Sequence, residues 1–162
     1  MRTKGSLALL TTALLVSAVT AAAAWGRSSA SVTSGRQAAV VISTRKVRKL
    51  GTVLVNSKGL TLYMFVPDKR AKVTCKGTCA TVWPPVMLPS GAKPHATGAV
   101  DARLLGSDVN PAGGRVVTYD GWPLYTYVGD GSPGKATGQA LNLNGGLWYA
   151  LAPSGKVIRT KL

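Results

Sequence analysis

The chain has 162 residues, with 20 Lys and Arg against five Asp and no Glu, a formal net charge of +15 and an isoelectric point near 10.5. A hydrophobic share of 46% is too high for a wholly disordered chain. The length suits one domain or two small sub-domains rather than a large multi-domain enzyme, and the lack of Glu excludes a Glu/Lys-rich helical or coiled-coil protein.

Residues 1–24 read as a secretory signal peptide. Arg2 and Lys4 make a positive start, an apolar run extends from Leu7 to Val19, and Ala21–Ala24 offers small-residue cleavage sites. An uncleaved anchor is the rival reading, because the run approaches the minimum spanning length. No Cys lies near the cleavage point to take a lipid. After cleavage no stable transmembrane span is expected, and the loss of Arg2 and Lys4 lowers +15 to +13.

Residues 25–49 are rich in Ser, Ala and Gly, carry six cations and no acid, and are expected to form a basic flexible linker. Within it, Ala38–Ser43 has the composition of a short strand. From Leu50 the pattern becomes β-type. Val53–Val55, a turn at Asn56-Ser57-Lys58-Gly59 and Leu60–Val66 predict a hairpin. Ala102–Leu105 predicts a single turn of helix. Arg115–Tyr119, Asp120-Gly121 and Trp122–Val128 predict a second hairpin, with Pro123 delaying its second strand or placing it at an edge. Leu147–Leu151, Pro153-Ser154-Gly155 and Lys156–Thr160 predict a third. No long helical period occurs after the signal segment. The expected fold is mainly β: two tandem hairpin-based repeats sharing one core in a small antiparallel sheet or barrel-like domain over residues 50–162, with repeats at about 50–88 and 112–152.

The repeat is explicit. Leu62-Tyr63-Met64-Phe65-Val66-Pro67-Asp68 matches Leu124-Tyr125-Thr126-Tyr127-Val128-Gly129-Asp130 at a constant offset, as Gly59 matches Gly121, and Trp83 and Trp148 hold similar late positions. Strand alternation puts Tyr63 and Phe65 on one face and Leu62, Met64 and Val66 on the other, with Tyr125 and Tyr127 repeating the aromatic pair. Each pair precedes an Asp placed to cap turn amides. Two readings follow. The aromatic pairs fill the core while Asp68 and Asp130 hold turns, or Tyr63, Phe65, Asp68, Trp83, Tyr125, Tyr127, Asp130 and Trp148 form a duplicated ligand site.

These motifs, together with Cys75-x-Gly77-x-Cys79-Ala80-x-x-Trp83-Pro84-Pro85, Thr118-Tyr119-x-Gly121-x-Pro123, Pro133-Gly134 and the closing Gly138-Gln139, resemble a bacterial secreted-repeat family. Its members carry a Tyr-x-(Phe/Trp/Tyr)-x-x-Asp motif and are often predicted lipoproteins. The resemblance spans about residues 50–152 and implies an exported, cell-envelope protein with no established activity. The lipobox Cys of the lipoprotein members is absent.

Cys75 and Cys79 are the only cysteines, and an even count in an exported chain favours a disulfide. Its expected role is to pin the turn that delivers Trp83-Pro84-Pro85. A redox pair lacks the C-x-x-C spacing. A metal site would need His95, which stands in a Lys-Pro-His loop with no ligand near it in sequence. No metal or cofactor is therefore expected. With no Glu, one His and no G-x-S-x-G elbow, catalysis is not expected either.

The cations cluster between Arg27 and Lys49 and again at Lys69, Arg70, Lys72 and Lys76. Outside a membrane the abundant polyanions are wall polymers and lipid headgroups, so these are the expected partners. No nucleic-acid motif is present, and nucleic acid is not an expected partner. From Leu50 onward, 12 cations and five Asp leave +7. The expected function is an exported, envelope-associated binding or structural module without catalysis, secreted and cell-wall associated. The rival is a metal- or cofactor-binding protein assisting extracytoplasmic redox or stress defence.

Overall fold

The computed structural model describes residues 39–68 and 72–162, so the expected signal peptide, most of the expected linker and Lys69 and Arg70 of the second basic cluster lie outside it. Strand β1 (Val41–Val47) pairs antiparallel with β2 (Gly51–Asn56) over six residue pairs, from Ile42–Asn56 to Val47–Gly51. The short strand expected at Ala38–Ser43 is present but runs Val41–Val47, so the linker assigned to residues 25–49 is corrected at its end. Ile42 and Val47 are buried while Arg45 and Lys46 project outward, and these exposed cations hide the second half of the strand from a composition reading.

The first predicted hairpin starts as expected. Asn56 shapes its turn, its side-chain oxygen accepting from the amides of Lys58 and Leu60, while Gly59 takes a positive φ of 75° and donates to the Asn56 carbonyl. Leu62 still bonds Leu54, but β3 (Tyr63–Phe65) then leaves β2 and pairs with β10 (Gly146–Ala150), Phe65 facing Trp148. A 3-10 turn, Val66–Asp68, follows. The disulfide-bearing segment forms one short helix, α1 (Thr78–Val82), which the sequence reading did not anticipate. Next, β4 (Met87–Leu88) joins the second repeat, and β5 (His95–Ala96) lies parallel to β1, so that the exposed His95 stands on a strand rather than in a loop.

The predicted helical turn appears as a 3-10 turn at Ala102–Leu104. Strands β6 (Leu105–Val109) and β7 (Arg115–Tyr119) then repeat the β1–β2 hairpin. Asp120 and Gly121, with φ of 48° and 77°, turn the chain into β8 (Trp122–Pro123). That strand ends at Pro123, and Leu124 bonds Val117 as Leu62 bonds Leu54. Strand β9 (Asn142–Leu143) pairs with β10, and the third hairpin is reduced to a bridge between Leu151 and Val157.

The result is mainly β with two repeats, as expected, and of the two expected arrangements it is the small antiparallel sheets and not a barrel. Among the described residues the strands form three small sheets, ordered β2-β1-β5, β3-β10-β9 and β4-β7-β6, with β8 on β7. Strands of two to seven residues do not close a barrel here, because after each hairpin the chain crosses to the other repeat, β3 pairing with β10 and Tyr125 bridging Tyr63 and Pro85. The shared core has two layers on either side of β3. Tyr63 and Phe65 join Val47, Val53, Trp83, Tyr125 and Trp148, whereas Leu62 and Met64 join Ile42, Leu54, Val117, Tyr119 and Leu124. Val66, expected beside Met64, is instead 36% exposed in the 3-10 turn.

Candidate functional site

The repeated motif meets itself at the centre of the molecule. Tyr63 and Tyr125 exchange backbone hydrogen bonds, each amide donating to the other's carbonyl at 2.9 and 3.0 Å. Their hydroxyls cross over. Tyr63 donates to Asp130 Oδ2 at 2.6 Å, and Tyr125 donates to Asp68 Oδ2 at 2.5 Å. Each tyrosine is therefore bonded to the aspartate of the other repeat, not to the one five residues ahead in its own motif.

The second oxygen of each carboxylate is also occupied. Asp68 Oδ1 accepts from the Thr74 amide and hydroxyl at 2.7 and 2.6 Å. Asp130 Oδ1 accepts from the Thr137 amide and hydroxyl, both at 2.7 Å. Both aspartates are buried, at 0% and 2% exposure, so three donors apiece replace the lost water. Burial first, and then the bonded aspartate, push both phenols far above the ordinary tyrosine range. These tyrosines are held protonated, as donors to a carboxylate.

The aromatic residues show the same exchange. Trp83 and Trp148 stack face to face, 3.9 Å apart and 1° from parallel. Phe65 of the first repeat lies on Trp148 of the second at 4.1 Å, and Tyr127 of the second lies on Trp83 of the first at 4.3 Å. Phe65, Trp148, Trp83 and Tyr127 form one four-ring column. Tyr63 meets Trp83 edge-on at 5.5 Å and Tyr125 meets Trp148 edge-on at 5.2 Å. Contacts that come in pairs related by exchange of repeats mark an internal two-fold through the Trp83–Trp148 stack. The symmetry breaks at the indole nitrogens: Trp148 donates to the Leu143 carbonyl at 2.9 Å, while Trp83 Nε1 is buried with no partner among the described residues.

Cys75 and Cys79 are joined. Cys79 lies in α1, and its carbonyl accepts from the Trp83 amide at 2.8 Å, so the bridge fixes the segment that brings Trp83 into the column. All eight motif residues and both cysteines are thus assembled in one place. The aromatics and aspartates are bonded or stacked onto one another, and no group of three or more His, Cys, Asp or Glu able to hold a metal occurs among the described residues.

Three residues of this assembly escaped the sequence reading. Thr74 and Thr137 follow their aspartates by six and seven residues, so a search at constant offset does not align them. Gln139, read only as part of a closing motif, is buried. It accepts from the Ala150 amide at 2.8 Å and donates to the carbonyls of Ile158 and Thr160 at 2.6 and 2.8 Å, tying down the C-terminal segment.

A family model described as a secreted repeat of unknown function matches residues 44–87 and 107–152. Its first match begins inside β1, in agreement with the strand and not with the linker reading. No curated protein and no solved structure matches the chain.

Proposed function

Because the chain belongs to the family of secreted repeats of unknown function, we propose that it acts outside the cytoplasm as a non-catalytic binding module that associates with anionic polymers of the cell envelope through its basic surface. The observation that supports this reading is where the charges go. Moving the domain start from Leu50 to Val41 adds Arg45, Lys46, Arg48 and Lys49, which raises +7 to +11. Two of the five Asp are committed to the interior, leaving three outside the core against 16 cations.

The repeat residues meanwhile bond and stack with each other, which suits a scaffold rather than a reaction centre. The metal- or cofactor-binding reading gains nothing from this geometry, because the carboxylates that would serve as ligands already accept three hydrogen bonds each. No helix among the described residues is long and apolar enough to cross a membrane.

A salt-gradient wash of intact cells tests the proposal. The protein should remain with the envelope at low ionic strength and be released as salt screens the contact. Protein found free in the medium at low ionic strength would overturn it.

A further inference from the structure

We propose that the ligand-binding face is one groove, between the end of the β1–β2 hairpin and residues 134–137, and that it holds a linear polyanion, a flexible chain with repeated single negative charges. The inference rests on the envelope reading above and names its face and ligand class. The groove is lined by Val47, Arg48 and Lys49 on the hairpin side, by residues 134–137 on the other, and by Leu162, with a volume of about 330 Å³.

Its far wall is rigid. The Lys135 carbonyl accepts from the buried Thr61 hydroxyl at 2.6 Å, and Thr137 is bonded to Asp130, so the exposed Lys135 side chain projects from a fixed backbone. Arg45 runs beside the same wall. A β-carbon on Gly59 would lie 3.1 Å from Arg45 Nη2, and one on Gly134 would lie 4.0 Å from its Cδ. Arg48, Lys49 and Lys135 line this groove with no Asp among its lining residues, while the Arg45 stem passes Gly134 and its guanidinium lies in the neighbouring hollow beside Gly59.

The internal two-fold supplies a comparison. A groove of the same construction, about 490 Å³, lies between Lys72, Val73, Thr74 and Lys76 and the end of the β6–β7 hairpin, at Asp108, Val109 and Pro111. Lys72 precedes Thr74 by two residues, as Lys135 precedes Thr137. The Leu54 amide donates to Leu151 as the Val117 amide donates to Val86, which makes Leu54 and Val117 equivalent. Their cross-strand partners are Thr44 and Ser107, so the next residues, Arg45 and Asp108, are equivalent as well. The twin carries the Asp108 carboxylate in its lining where the equivalent Arg45 stands just outside the first groove, and Arg48 has no charged counterpart at Pro111. A concave line of cations between two walls fits a polymer strand better than a flat lipid surface, and the Arg48 guanidinium can take an oxyanion in a forked geometry.

The test uses the whole secreted chain, with linear polyphosphate, poly-L-glutamate and anionic phospholipid vesicles as separate probes at low salt. Arg48→Glu/Lys49→Glu is compared with Lys72→Glu/Lys76→Glu, which removes the same net charge from the twin groove. The first pair should weaken binding to polyphosphate, polyglutamate or both by about ten-fold or more and flatten the salt dependence by about two counterions. The second pair should weaken it by less than about three-fold. The polymer preferred identifies the anion. Arg48→Ala/Lys49→Ala, smaller in its charge change, should fall between wild type and the Glu pair and guards against misfolding of the latter. Equal losses from both Glu pairs would overturn the groove while leaving binding by overall charge intact. Binding to vesicles alone would overturn the polymer. A wild-type protein that binds none of the probes would sink the envelope reading itself.

Discussion

At the scale of single residues, the crossed Tyr–Asp bonds decide what the repeat motif is for. Asp130→Ala strands the buried Tyr63 hydroxyl and removes the acceptor of both groups of the exposed Thr137, and should cost about 1–3 kcal/mol. Tyr63→Phe removes one donor and should cost about 1–2 kcal/mol. In double-mutant cycles Tyr63 should couple to Asp130 more strongly than to Asp68, its neighbour in the motif; stronger coupling to Asp68 would refute the exchange. The phenols also set an alkaline limit. Their pKa values are raised in the fold, whereas in the unfolded chain they ionise at the usual value of about 10. Their contribution to stability is thus complete below about pH 10 and falls as pH rises beyond it. Phenolate absorbance from Tyr63 and Tyr125 should appear together with loss of near-ultraviolet dichroism; ionisation in a still-folded protein would contradict their burial. Sequence alternation correctly put Tyr63 and Phe65 on one face. It left open which aspartate each tyrosine meets, because hydrogen-bond partners more than 50 residues apart have no local signature.

At the scale of elements, the disulfide and the glycine beside the column are the informative parts. Cys75 and Cys79 close a short loop, so their link is worth about 2 kcal/mol in chain entropy. Reduction should lower stability by about that amount and release amide protection in α1 first. The central strands should keep theirs, since Trp83 is still clamped between Trp148 and Tyr127. Uniform loss of protection would show that α1 and the core open as one unit. Gly138→Ala would place a β-carbon 2.8 Å from Trp83 Cη2 and 3.0 Å from Tyr63 Cζ. Both rings are fixed by their own contacts, and a loss of about 1–3 kcal/mol is expected in denaturant unfolding. Hairpins with explicit turn chemistry, such as Asp120-Gly121, were legible in the sequence. Strand β1 was legible only at its start, as the strand expected at Ala38–Ser43, because the outward cations that follow resemble a linker, and α1 was not, because five residues carry no helical period.

At the scale of the whole molecule, the exchange of partners makes the two repeats interdependent. A lone repeat would bury a tyrosine hydroxyl without its carboxylate and expose half of the four-ring column. Each repeat expressed separately should therefore be unfolded, whereas the intact domain should unfold in one transition that superposes by far-ultraviolet dichroism and tryptophan fluorescence. Two separated transitions would show that the repeats are independent. The sequence alone determined the mainly β class, the duplication, the pairing of the two cysteines, membership of the secreted-repeat family and the strongly positive balance, since composition, turn residues and period are local properties of the chain. The tertiary structure decided the crossed tyrosine–aspartate bonds, the absence of a closed barrel among the described residues, the start of the domain inside the basic stretch, and the unequal charge of two similarly built grooves. These depend on which distant segments meet, and that is set by the packing of one repeat against the other around the Trp83–Trp148 stack.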